Sequence, residues 1–180
     1  LLALAVLSVL LSQTQLLHSS VEIGSISEVR GNAQVLRDKA YGAELQFDIQ
    51  QMDDVRTESG RVAITFEDNS TVKLTEHSKL VIDEYIYDPD PSKSKMALKF
   101  ASGTARFITG KFNNKSNISI RTPTADIAIR GTDFTCTVDE LGRSLVILLP
   151  DENGISSGEI LVSTAMGSVT LNKPYQATTV

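Results

Sequence analysis

A chain of 180 residues is long enough for one domain and too short for two ordinary ones. Its net charge of −5 and pI near 5.0 argue against the basic surface that a nucleic-acid binder needs. One cysteine excludes an internal disulfide, and two histidines with no tryptophan leave little for a metal or stacking site.

The first segment, Leu1 to Leu11, is apolar apart from Ser8. It is shorter than the roughly 20 residues that cross a bilayer. It fits the hydrophobic part of a secretory signal whose charged start is missing. Residues 1–20 are therefore expected to be a truncated signal peptide or a membrane anchor. Cleavage is favoured because Gln13, Thr14 and Gln15 break the apolar run early. A leader of this kind implies export, to the periplasm or cell envelope, with membrane contact only through the leader if it stays uncleaved.

Residues 21–180 are expected to form a single all-β domain of stacked short strands, in a β-roll, solenoid-like or sandwich arrangement. The reason is apolar alternation with a period of two. Val62, Ile64 and Phe66 form one such set, and Val72 and Leu74 the next. Glu67 to Ser70 between them reads as a tight hairpin turn. Glu76 to Asp83 could make one helical turn, but Leu80 and Ile82 alternate as a strand would. Asp88 to Lys95, with Pro89 and Pro91, reads as a surface loop.

Leu98 and Phe100 begin a further strand, and Gly103 reads as punctuation after it. Asn113 to Ser116 reads as a polar turn. Ile118 with Ile120, then Ile127 with Ile129, mark two more strands. Phe134, Cys136 and Val138 share one inward face, so Cys136 is expected to be a buried small hydrophobe. Leu145, Ile147 and Leu149 follow as the next inward set, then Ile160 with Val162, and Val169 with Leu171.

Internal similarity is weak. Arg56 to Ile64 resembles Arg121 to Ile129, and Gly31, Gly103 and Gly158 each precede alternating apolar residues. The similarity suggests stacked strand–turn units.

Candidate chemistry is sparse. The adjacent acids Asp53–Asp54 and Asp83–Glu84 would point to opposite strand faces, so neither pair converges on a substrate. Asp83, Glu84, Asp88 and Asp90 could gather around calcium, but the glycine of a dedicated loop is missing and Lys93 and Lys95 lie close. Arg130, Gly131 and Thr132 could form a small anion-binding turn. The preferred reading is a structural corner in which Gly131 permits the bend and Thr132 hydrogen-bonds across it. No catalytic, cofactor or metal residues are expected, and the chain is not read as an enzyme.

The order of several short segments resembles the FecR domain family, named after the periplasmic part of the iron-dicitrate sensor. Asp54 to Thr57, Phe66 to Leu74 and Ser78 to Leu80 resemble its early segments. Leu98 to Phe107 resembles a later strand. Thr122, Pro123, Arg130, Gly131, Thr132 and Phe134 resemble its most specific signature. The best-matching core is 53–138. The resemblance implies an exported all-β binding or signalling module whose partner is another envelope protein or a glycan. Two alternatives remain open. One is a structural surface component. The other is the sensor part of a FecR-type transmembrane anti-sigma regulator of iron uptake.

Overall fold

The computed structural model describes residues 21–112 and 117–180. The expected leader at 1–20 and polar turn at 113–116 lie outside the described residues. The first nine strands are β1 (Glu22–Arg30), β2 (Ala33–Leu36), β3 (Ala40–Gly42), β4 (Asp48–Gln50), β5 (Asp54–Thr57), β6 (Arg61–Phe66), β7 (Thr71–Leu74), β8 (Lys79–Ile86) and β9 (Lys95–Ile108). Then come β10 (Asn117–Arg121), β11 (Asp126–Arg130), β12 (Asp133–Val138), β13 (Ser144–Leu148), β14 (Glu159–Thr164), β15 (Gly167–Leu171) and β16 (Ala177–Thr179). Of the region that could have been a helical turn, Glu76 and His77 form a tight turn and Lys79 onward is the start of β8. The Asp88–Lys95 loop holds one 3-10 turn at Pro91–Lys93, capped by the Asp90 side chain.

These strands form two sheets that face each other. The first has the order β4-β1-β6-β7-β9-β12-β13-β16. The second has the order β3-β2-β5-β8-β9-β10-β11-β14-β15. Strand β9 belongs to both. Its first half, through Ser102, pairs with β8 and β10. Its second half, from Gly103, pairs with β7 and β12.

The core fills the space between the sheets. Every strand except the short edges β3 and β16 sends residues into one continuous cluster of buried apolar side chains. Phe100 of the second sheet meets Phe107 of the first edge to face at 5.9 Å, and Phe107 stacks on Phe134 at 5.0 Å. Phe66 stacks on Tyr85 across the sheets at 5.3 Å. Each large side chain fully buried this way contributes about 1.5–3 kcal/mol relative to exposure.

The inward parity of β9 changes at its bend. Met96, Leu98 and Phe100 point inward before it, and Ala105 and Phe107 after it. Gly103 therefore does not end a strand, as its reading as punctuation expected. It lets one strand leave the second sheet and enter the first. Its φ is +92°, and an added Cβ would lie 2.2 Å from Ser78 Oγ and 2.5 Å from Ser78 Cα. Only glycine fits both the backbone and the approach.

One expected face is reversed. Leu145, Ile147 and Leu149 were the expected inward set, but Ser144, Val146 and Leu148 are the buried ones. Ser144 to Leu149 is nearly continuous in apolar residues, so alternation alone does not choose a face. Pairing does, by setting Phe134 opposite Leu148 and Cys136 opposite Val146.

The weak internal repeat has a mixed outcome. Gly31, Gly103 and Gly158 all sit where the chain passes from one sheet to the other. Arg56 to Ile64 also crosses between sheets, whereas Arg121 to Ile129 is a hairpin within the second sheet. The two segments are therefore not equivalent units.

Replacing Gly103 by valine should lower stability by about 3 kcal/mol or more, through backbone strain plus the clash at Ser78. Urea unfolding measures this. A midpoint equal to that of the parent protein would contradict the corner assigned to Gly103.

Candidate functional site

The signature residues occupy two corners rather than one cleft. At the first, Thr122 ends β10 with a buried hydroxyl that accepts from Ala125 N at 3.0 Å and from Ser144 Oγ at 2.7 Å. Thr124 Oγ1 lies 2.8 Å from the same Ser144 oxygen. Pro123 sits between them in the turn. This hydroxyl chain ties the β10–β11 turn to the start of β13 in the opposite sheet. Thr57 plays a matching part at the end of β5. It accepts from Ser78 N at 2.8 Å and donates to Thr75 O at 2.5 Å.

At the second corner, Arg130, Gly131 and Thr132 join β11 to β12. Gly131 has a φ of +58°. Its carbonyl oxygen is packed against Gly158, where an added Cβ would lie only 1.8 Å away. Thr132 N donates to Thr109 Oγ1 at 3.2 Å, and Thr109 N donates to Thr132 O at 2.9 Å. The Thr132 hydroxyl was expected to bond across the turn. It is instead buried with no hydrogen-bond partner among the described residues, and the backbone makes the link. Asp133 N is bonded by Ser157 Oγ at 3.0 Å. Phe134 is fully buried beneath the corner.

Beside this corner lies an open depression of about 580 Å³, bordered by Arg106, Gly131, Asp133, Asp151 and Glu152. Its charge argues against anion binding. Arg106 is held in a two-bond pair by Asp133, with contacts of 2.9 and 2.5 Å, which raises its pKa. Arg130 lies against Glu159 at 3.4 Å and does not face the depression's acids as a free cation. Arg130, Gly131 and Thr132 thus form a corner, not a phosphate cradle.

The remaining candidates do not converge on one another. Asp53 is fully buried and takes a two-bond pair from Arg37, both contacts at 2.7 Å, plus Gln50 N at 2.8 Å. Its neighbour Asp54 lies at the surface against Arg56 and Lys79. Asp83 pairs with Lys99 and Glu84 with Lys95, so these acids do not gather around a cation. Among the described residues no cluster of metal-ligating side chains occurs. Cys136 is fully buried, and desolvation pushes its thiol up to about 12, far from a reactive thiolate.

Sequence reasoning missed one polar centre. Asp68, in the β6–β7 turn, is fully buried and bonded by Ser70 Oγ, Ser70 N and the Tyr85 hydroxyl. The pKa of Tyr85 is raised, chiefly by burial. Asn69 takes the left-handed conformation at the tip of the turn, with φ of +66°. The signal for a tight turn was visible, but the docking of its acid under Tyr85 depends on long-range pairing.

A family model described as "FecR protein" matches residues 53–169. The matched span begins at Asp53 and runs beyond Val138 into β15, ending at Val169. No curated protein matches the chain. Two crystal structures of a "putative anti-sigma factor" from Parabacteroides distasonis ATCC 8503 share the fold, with TM-scores of 0.56 and 0.55 at 16% identity. In both cases the match covers 71% of this chain and 54% of the other. The chain thus spans about half the length of the structures it matches.

Two substitutions separate the roles at the second corner. Gly131→Val should cost more than about 1 kcal/mol, because a β-branched residue resists a positive φ. Thr132→Val should leave stability unchanged or raise it, since it removes a buried hydroxyl that bonds nothing. Thermal unfolding of both checks the pair. A loss at Thr132→Val as large as at Gly131→Val would show that the hydroxyl has a partner.

Proposed function

The chain belongs to the FecR family, and we propose that its β domain is the sensor part of a FecR-type transmembrane regulator of an anti-sigma kind. The observation that carries this reading is the family match across 53–169, joined to a shared fold with structures described as a putative anti-sigma factor. A general envelope binding module is the broader form of the same reading. The regulator reading is favoured because the structural neighbours are regulators by description.

The chemistry of the domain agrees with a non-enzymatic role. Its signature residues maintain corners, the candidate acids Asp53, Asp54, Asp83 and Glu84 are each paired with a basic side chain, and its one thiol is buried. What the domain offers a partner is surface: two exposed sheet faces, their edges and the loops between them. In this reading it stands outside the cytoplasm, in the periplasm or cell envelope, and the partner is another envelope protein. Occupancy of the domain is relayed through the rest of the regulator to a sigma factor. Strand addition or loop contact is the mode of binding that a β domain of this kind supports.

The test is genetic and uses the native regulator. Residues 21–180 are replaced in frame by an unrelated exported β domain, and transcription from the sigma-dependent promoter is followed with and without inducing conditions. Loss of induction is expected. Induction unchanged by the replacement would remove the sensor role.

A further inference from the structure

The two sheets have four edges, and they are not equally protected. The edge at β4 is occupied: Arg37 Nη2 bonds Asp48 O at 3.0 Å, and Asp53 bonds Gln50 N at 2.8 Å. The edge at β3 is three residues long and flanked by Asp38 and Lys39. The edge at β16 is also three residues long. Strand β15 is different. It runs five residues, Gly167–Leu171, and pairs only with β14. Among the described residues, no hydrogen bond other than that ladder reaches Ser168 to Leu171.

The devices that usually blunt such an edge are missing. No charged residue lies between Glu159 and Lys173, and no proline interrupts this stretch. Natural edge strands are normally short, bulged, charged or covered. Instead the β14–β15 hairpin exposes apolar side chains: Met166 is 96% exposed, Val169 40% and Leu161 39%. The outer face of the second sheet shows the same change. It is laced with ion pairs through β5, β8, β9, β10 and β11, and turns uncharged at Leu161 and Thr170.

We propose that β15 is a pairing edge for a second copy of this chain, joining two second sheets antiparallel about Val169. The strand is complementary to itself in that arrangement. Val169 meets Val169 on the inward face, where its exposed part becomes covered. Ser168 meets Thr170 on the outward face, and hydroxyl pairs of this kind are favourable across strands. Gly167 meets Leu171. No like charges are brought together, because the strand has none. A two-fold axis uses the same patch on both copies, so the contact closes at a dimer.

Sedimentation of the purified chain over a dilution series reads the association directly. The expected result is a shift from one protomer to twice that mass as concentration rises. Val169→Lys, which sets two cations face to face at the axis, should abolish the shift while leaving the melting transition in place. Thr179→Lys on the β16 edge should leave the shift intact. Val169→Cys should cross-link to a dimer under mild oxidation, since directly opposed strand residues lie within disulfide reach. Cys136 is buried and does not compete. A protomer mass at every concentration overturns the proposal. So does a dimer that survives Val169→Lys, which would place the contact elsewhere. A monomer whose Val169→Lys form loses capture of an envelope protein overturns it as well, in favour of a foreign strand on the same edge.

Discussion

Everything in this fold depends on β9 being one strand in two sheets. Residues Lys95 to Ser102 complete the middle of one layer, and Gly103 to Ile108 complete the middle of the other. The two layers cannot slide or separate without breaking that strand. Chain segments on either side then fill outward from it, alternating between layers. The parallel pairing of β10 with β9 follows as well, because β9 ends in the opposite sheet and the chain must return to the second sheet to continue.

A strand that changes layers exposes backbone groups at the bend, and small hydroxyl residues satisfy them. Ser78 Oγ donates to Thr104 O at 3.2 Å, and Thr75 N donates to the same oxygen at 2.9 Å. Thr57 does similar work at the β5–β6 crossing, while Thr122 and Ser144 tie the β10–β11 hairpin turn to the opposite sheet. The segments that resemble the FecR family are therefore largely its corners. Some mark where the chain passes between layers, as at Arg130 to Thr132, and others mark hairpin turns within one layer, as at Glu67 to Ser70 and Thr122 to Ala125. This explains how a signature can be specific and still hold no reactive group.

Much of this was legible in the residues. Period-two alternation at Val62, Ile64 and Phe66, or at Ile118 and Ile120, places the strands and their inward faces, because the larger apolar side chains lie on one face only. The stretch Ser144 to Leu149 offered two apolar faces, and only the register against β12 selected one. The layer change in β9 left a trace that went unread: inward residues are even-numbered up to Phe100 and odd-numbered from Ala105. Gly103 looked like a stop because glycine commonly ends strands, and only its approach to Ser78 shows why the strand continues. Asp68 was read as turn chemistry, and its burial beneath Tyr85 comes from strands far apart in sequence. The pairing edge at β15 was written in the missing charges between Glu159 and Lys173, but an edge is defined only once neighbours are known.

A domain built this way should behave as one rigid unit, since a strand common to both layers couples them. Native-state hydrogen exchange tests that claim most directly. The account predicts that amides of β9 and of its neighbours β7, β8, β10 and β12 exchange only through global unfolding, with one shared free energy across both sheets. Two distinct protection levels, with β7 and β12 of the first sheet opening independently of β8 and β10 of the second, would contradict it.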